Sequence, residues 1–189
     1  MPLIFVTSNQ HKFEEARTLA EEYEIEIEQR DVPYIEIQTD NLADIVKPGA
    51  QQAYRMSGAP CFVEDAGLFI NALNGFPGPY SSYVFKTLGN QGILRLLEGV
   101  DDRRAEFRSA LGYCGNSIKV FEGKVKGTIA KEERGSKGFG YDPIFIPDMG
   151  GEGTFAEMSM EMKNALSHRA NSIEKFVKWY SKNKKAEGG

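Results

Sequence analysis

Long apolar runs, a surplus of positive charge and an array of cysteines are all missing from this 189-residue sequence. The apolar stretch in the opening MPLIFVTSN is too short for a secretory signal, and no segment is long enough to span a bilayer. The expectation is a cytoplasmic protein with no membrane partner. The formal net charge of −4 gives no global basic field to draw in nucleic acid. An acidic chain that handles a polyanion such as a nucleotide must therefore do so with local donors and a divalent cation. Only two cysteines occur, Cys61 and Cys114, without metal-ligand spacing, and both read as reduced core residues. Internal repeats, linkers and low-complexity segments are absent too.

What is present suits one domain. Hydrophobic residues make up 41% and charged residues 26%, enough for a core under an ordinary polar surface. LIFVT (3–7) reads as a buried strand, followed by a helix through Phe13, Ala16, Leu19, Ala20 and Tyr23. IEIEQR (25–30) and YIEIQ (34–38) read as strands. A second helix runs from Leu42 to Tyr54, weakened in the middle by Pro48 and Gly49. CFVED continues into LFINAL after a bend at Gly67. Helices are expected through Phe85 and Leu88 and again over 92–97. RAEFRSALGYC alternates as a strand, and KVFEGKVKGTIA reads as strand pieces broken by glycine. A glycine-rich loop (133–143), a short strand IFI (144–146), a Thr154…Glu157 capping box and a last helix from about Ser167 complete the chain. The mixture indicates α/β or α+β with a mixed sheet. The predicted domain covers 1–180, with 181–189 a solvated tail.

Five patches can carry chemistry. The first, Thr7, Ser8, Asn9, Gln10, His11 and Lys12, stands where a strand gives way to a helix. Unpaired N–H groups and the helix dipole there suit a phosphate, although Ser8 or Asn9 equally makes an ordinary N-cap. It is not a Walker loop. The second is Glu36, a lone glutamate between two isoleucines, a pattern that usually faces solvent. The third is Glu64–Asp65 in FVEDAG. Successive strand side chains point to opposite faces, so the two carboxylates converge only if the strand ends there. If Glu36 and Asp65 end neighbouring strands, they can hold one Mg²⁺ between them. The fourth is GFGYDP, where Phe139, Gly140, Tyr141 and Asp142 offer close backbone approach and aromatic faces, or simply a turn whose aromatics complete the core. The fifth is Lys163, His168 and Arg169. Cations at a helix start oppose the dipole and need an anionic or carbonyl neighbour.

In combination the motifs TSNQHK, EIQ, EDAGL, NGFPGPYS, GFGYDPIF, TFAEM and EMKNALSHR, in that order from Thr7 to about Trp179, closely resemble the inosine triphosphate pyrophosphatase family, the XTP/dITP diphosphatases. The resemblance implies an elongated α/β fold with a mixed central sheet, flanking helices and two lobes with a nucleotide cleft. It also implies a homodimer and Mg²⁺ dependence. The activity implied is hydrolysis of ITP, dITP and XTP to the monophosphate and pyrophosphate. Carried over by residue, Thr7 to Lys12 bind the triphosphate, Glu36 and Asp65 hold the metal, and Asp65 accepts the proton of the attacking water. Phe139 to Asp142 bracket the base, and Lys163, His168 and Arg169 complete the nucleotide site. Ala66 stands where many relatives carry Ser or Thr, so only its backbone N–H remains for substrate. Ser82 replaces a basic residue of some relatives, with Lys86 a substitute.

The mechanism so implied is in-line attack on the α-phosphorus, driven by positioning and charge neutralisation. Inosine and xanthosine present a 6-oxo acceptor where adenosine presents an amino donor, which a donor-lined site distinguishes. Other readings are a Maf-like pyrophosphatase for modified pyrimidine nucleotides and a nucleotide-binding regulator without turnover. An RNA-binding module fits poorly with the negative charge.

Overall fold

The computed structural model describes residues 2–187 of the chain. Its seven strands form one mixed sheet. They are β1 (Leu3–Val6), β2 (Ile27–Arg30), β3 (Cys61–Ile70), β4 (Pro77–Gly78), β5 (Arg104–Cys114), β6 (Ile118–Ile129) and β7 (Phe145–Pro147). The order across the sheet is β2-β1-β3-β5-β6-β7, with β4 paired to β3 beside that path. Six helices accompany it: α1 (Gln10–Glu21), α2 (Leu42–Ser57), α3 (Ser81–Thr87), α4 (Gly89–Leu96), α5 (Met160–Leu166) and α6 (His168–Glu187). The α/β class with a mixed central sheet is as the sequence predicts. Among the described residues no helix is long and apolar enough to cross a membrane.

The chain divides into two compact units. The first comprises Met1–Asp65, Ser109–Gly123 and Arg169–Gly189. Every side chain of β1 is buried, so the strand is apolar on both faces, as in a parallel sheet covered on both sides. It pairs in parallel with β2 and with β3. The connection from β1 goes through α1 to β2 on one side, while β3 lies on the other. That makes the carboxyl ends of β1 and β3 a topological switch point, where open α/β sheets place ligands. Phe5 and Phe62 stack face to face at 4.4 Å, and Phe176 of α6 leans on Phe62 at 5.0 Å. Leu19, Leu111, Ile173 and Val177 fill the rest of this core.

The second unit comprises Ala66–Arg108 and Lys124–His168. Its core gathers Leu68, Ile70, Ile93, Leu97, Phe107, Ile144, Phe145 and Phe155. Phe107 packs edge-on to Phe145 at 4.7 Å.

Several local expectations need correction. β3 does not bend at Gly67 but runs unbroken from Cys61 to Ile70. Glycine stands there because a Cβ would lie 2.3 Å from the Gly78 carbonyl oxygen of the paired β4. β6 is likewise continuous through its glycines, and a Cβ on Gly127 would meet the Ile146 carbonyl of β7. YIEIQ is not a strand: residues 31–39 are extended without ladder partners, leaving Ile35 73% exposed. Its alternation satisfies strand periodicity, but Gln52 of α2 takes both backbone groups of Ile35 in place of a neighbouring strand. α2 carries Pro48 without breaking. The capping box at Thr154 and Glu157 forms with both reciprocal hydrogen bonds, but over a single 3-10 turn at Phe155–Glu157. Of the expected tail, 181–187 continue α6, and residues 188 and 189 lie outside the described residues.

Candidate active site

In the first unit, local sequence builds the turn after β1. Thr7 leaves the strand with its N–H on the Arg30 carbonyl, and its hydroxyl accepts from the Asn9 N–H at 3.1 Å. Asn9 is the N-cap of α1, its side-chain oxygen accepting from the Lys12 N–H at 3.2 Å. Asn9 therefore answers the capping alternative while leaving the first-turn N–H groups at the carboxyl end of β1. Ser8, Gln10 and His11 are exposed on this turn.

Lys12 reaches from the first turn of α1 to β3. Its ammonium donates to the Glu64 carbonyl at 3.0 Å and pairs with the Glu64 carboxylate at 2.9 Å. β1–β3 register pairs Phe5 with Phe62, which carries the turn after β1 to the level of the two acidic residues. The alternation of β3 then separates them. Glu64 is buried at 5% exposure, whereas Asp65 and Ala66 are half-exposed. The paired acids have two different surroundings.

Glu64 is the centre of a charge network that the sequence left open. Arg169, 3% exposed, donates Nη1 to Glu15 at 2.5 Å and lies with Nε 3.2 Å from Glu64 Oε1. Ser109 Oγ donates to the same Glu64 oxygen at 2.6 Å and touches Ser172 Oγ at 2.9 Å. Burial alone would raise the Glu64 pKa, but the charges of Arg169 and Lys12 and the Ser109 hydroxyl outweigh it and bring it to about 2. Burial alone would lower that of Arg169, yet Glu64 and Glu15 drive it up. Both groups stay charged at neutral pH. The cation at the start of α6, which demands an anionic neighbour, finds it in two carboxylates of the chain itself. Glu15 was missed in the sequence. Its one available signal is that it sits on the buried stripe of α1 beside Ala16 and Leu19.

Glu36 is exposed on the extended segment 31–39, and its Oε1 accepts from the Tyr34 hydroxyl at 3.1 Å. Glu36, Asp65 and Glu64 all act electrostatically on that hydroxyl. Among the described residues no cluster of three or more His, Cys, Asp and Glu gathers for a metal. Two hard oxygen donors nevertheless match Mg²⁺, which keeps several waters and takes its remaining ligands from substrate phosphates. The donor set fits that ion and does not fit a closed structural zinc site.

In the second unit, the loop before β7 is braced by Asp142. This residue is buried, its carboxylate accepting from the Phe139 N–H at 2.9 Å and from the Lys163 ammonium at 2.7 Å. Gly138 has φ +71°, and a Cβ there would lie 2.1 Å from Asp142 Oδ2. The Lys163 ammonium also sits 5.0 Å from the Phe139 ring centroid. Gly140 offers its carbonyl to Asn90 at 3.2 Å. Tyr141 completes the core: it is buried, donates its hydroxyl to the Ser81 carbonyl at 2.9 Å and meets Phe85 edge-on. Phe139 alone of the two aromatics keeps part of its surface open. His168 is buried with its imidazole stacked on Phe107 at 4.6 Å. Ser82 and Lys86 are exposed one turn apart on α3.

The Ham1 family model matches residues 3–179. A dITP/XTP pyrophosphatase of Methanopyrus kandleri is 51% identical over 97% of this chain and 98% of its own length. One from Thermococcus kodakarensis is 49% identical over 98% of this chain and the whole of that protein. Among solved structures, a HAM1 protein from Coxiella burnetii superposes with a TM-score of 0.83 at 30% identity, covering 96% of this chain and 99% of that one.

Proposed function

The chain belongs to the Ham1 family, and from that premise we propose that it hydrolyses dITP, XTP and ITP to the nucleoside monophosphate and pyrophosphate. Relatives named for dITP and XTP pyrophosphatase activity match it over nearly their full length, which supports the reaction class and the substrate class together. The structural observation that supports it most is the meeting of the turn after β1 with the acidic stretch of β3, joined by Lys12 and Glu64.

In this reading the N–H groups of the first turn of α1, with Thr7 and Asn9, receive phosphate oxygens, and the helix dipole favours their charge. Lys12 adds a positive charge held at a fixed distance by Glu64. Asp65, half-exposed where Glu64 is sealed, takes the proton from a water that attacks the α-phosphorus. Pyrophosphate is the leaving group. Glu36 and Asp65 would hold Mg²⁺, which when bound neutralises phosphate oxygens and makes water more acidic. The loop from Phe139 to Asp142 serves base recognition, with Phe139 offering a ring face and Lys163 locking the loop. Ala66 contributes its backbone N–H to substrate. His168, stacked on Phe107, and Arg169, holding Glu64, support the nucleotide site from buried positions in their own units. The cytoplasmic location and the homodimer belong to this proposal as well, in keeping with two free buried cysteines.

The test is product analysis with Mg²⁺ and ITP, XTP, dITP, GTP and ATP supplied separately. IMP plus pyrophosphate from ITP, with ATP nearly untouched, is the expected result. IDP plus free phosphate would mean attack at the γ-phosphorus and would overturn the assignment.

A further inference from the structure

Glu36 raises a physical problem. A metal ligand has to be aimed, yet this one is exposed on a stretch that has no strand ladder to hold it. Two devices compensate, both borrowed from α2. The side-chain amide of Gln52 grips the Ile35 peptide from both sides, accepting from its N–H at 3.2 Å and donating to its carbonyl at 3.2 Å. It thus replaces the missing ladder at one residue. The Tyr34 ring lies against Gly49, where a Cβ would come within 2.9 Å of Cε2 and 3.3 Å of Cδ2. Gly49 sits in helical conformation in an unbroken helix, so its missing side chain is explained by this ring and not by a turn.

From that seat the Tyr34 hydroxyl donates to Glu36 Oε1 at 3.1 Å. In this pair the phenol O–H is the donor and the carboxylate oxygen the acceptor. A phenol that donates to one carboxylate oxygen leaves the other oxygen and the remaining lone pairs for a cation, which is how outer partners orient ligating carboxylates. The exposed Ile35 and Ile37 on either side of Glu36 do no comparable anchoring.

We propose that Tyr34, seated on Gly49 and supported by the Gln52 clamp, is the positioning residue that aims Glu36 for divalent-cation binding. The proposal rests on the reading of Glu36 as a metal ligand, and its test separates the two. Mn²⁺ binding to the full chain would be followed by the electron paramagnetic resonance signal of the free ion, for wild type, Tyr34→Phe, Gln52→Ala and Glu36→Gln. Melting without metal and the Mg²⁺ dependence of ITP turnover would be measured alongside. The expected result is a roughly tenfold weaker Mn²⁺ affinity in Tyr34→Phe, the lower end of the range for outer-shell partners. Its metal-free melting temperature should be unchanged, and kcat should recover at high Mg²⁺. Gln52→Ala should weaken Mn²⁺ binding in the same direction. Wild-type Mn²⁺ affinity in Tyr34→Phe with weakened binding in Glu36→Gln would overturn the role of Tyr34 and leave Glu36 standing. Unchanged affinity in Glu36→Gln would overturn the Glu36 assignment and the proposal with it. A Tyr34→Phe protein that loses several degrees of metal-free stability together with affinity would also overturn it, because general loosening would then be the cause.

Discussion

Glu64→Gln is the most informative single change in the network. Removing this charge leaves Lys12 and the buried Arg169 facing a neutral amide, with Glu15 still compensating Arg169. Two routes give its cost. The fall of the Glu64 pKa from 4.5 to about 2 corresponds to about 3 kcal/mol at neutral pH. Breaking a buried ion pair from one side costs about 3–5 kcal/mol in other proteins. Because the folded-state pKa is depressed, this stabilisation is present above the unfolded value and disappears as pH falls from about 4.5 toward 2. Urea unfolding of both proteins at pH 7 and pH 3 reads the effect directly. At pH 7 the variant should be less stable by about 3 kcal/mol, equivalent to roughly 6–12 °C in melting temperature for a domain of this size. Between pH 7 and pH 3 the gap should narrow by about 2 kcal/mol, because the carboxyl of the unfolded chain takes up a proton in that range while the folded one, held at about 2, is still mostly ionised. Equal stability at pH 7, or a gap that does not change with pH, would refute the charge-network argument.

Asp65→Asn should fold normally and lower kcat for ITP by about 10²–10⁴-fold, the usual worth of a positioned base, in a pyrophosphate-release assay. An active variant would remove Asp65 from the chemistry. Lys163→Met leaves the Asp142 carboxylate buried without its cation, and a thermal melt should register a loss of about 3 kcal/mol or more. Proteolysis within 133–143 should accelerate in the same variant, whereas an unchanged cleavage rate would mean that Lys163 does not brace the loop. Gly67→Ala places a methyl 2.3 Å from the Gly78 carbonyl, so a loss of about 1–3 kcal/mol in chemical denaturation is expected, and none would show that β4 can withdraw freely.

Much of this was legible in the sequence because the strongest signals are local. LIFVT, the 3.6-residue stripe from Phe13 to Tyr23, the alternation of RAEFRSALGYC and the Thr154–Glu157 box each state their own structure. The failures came where a distant backbone decides. Gly67 and Gly127 looked like interruptions, yet each lies within a continuous strand and admits a neighbouring carbonyl, which no local pattern reports. YIEIQ has strand periodicity but joins no strand of the sheet and is held at Ile35 by Gln52 of α2 instead, so tertiary context overrode its propensity. In the candidate site, the choice between Glu64 and Asp65 was half readable: alternation predicts that they face apart, and only the structure tells which is sealed among cations. Glu15 and Tyr34 escaped notice because a glutamate on a helix and a tyrosine beside a proline are both commonplace. Their significance lies in Arg169, which is 154 positions from Glu15, and in Gly49, the helix residue beneath the tyrosine ring.

The outermost strands of the sheet have a consequence for how this protein behaves when crowded. β2 offers only four residues, two of which, Glu28 and Arg30, are tied to each other by an ion pair at 2.8 Å. β7 offers three and ends on Pro147, which has no N–H to give. Short, charged or proline-ended borders are poor templates for a foreign strand, so the sheet resists growing by edge-to-edge addition. The open ladder that leads to fibres is thereby disfavoured at both borders of the sheet.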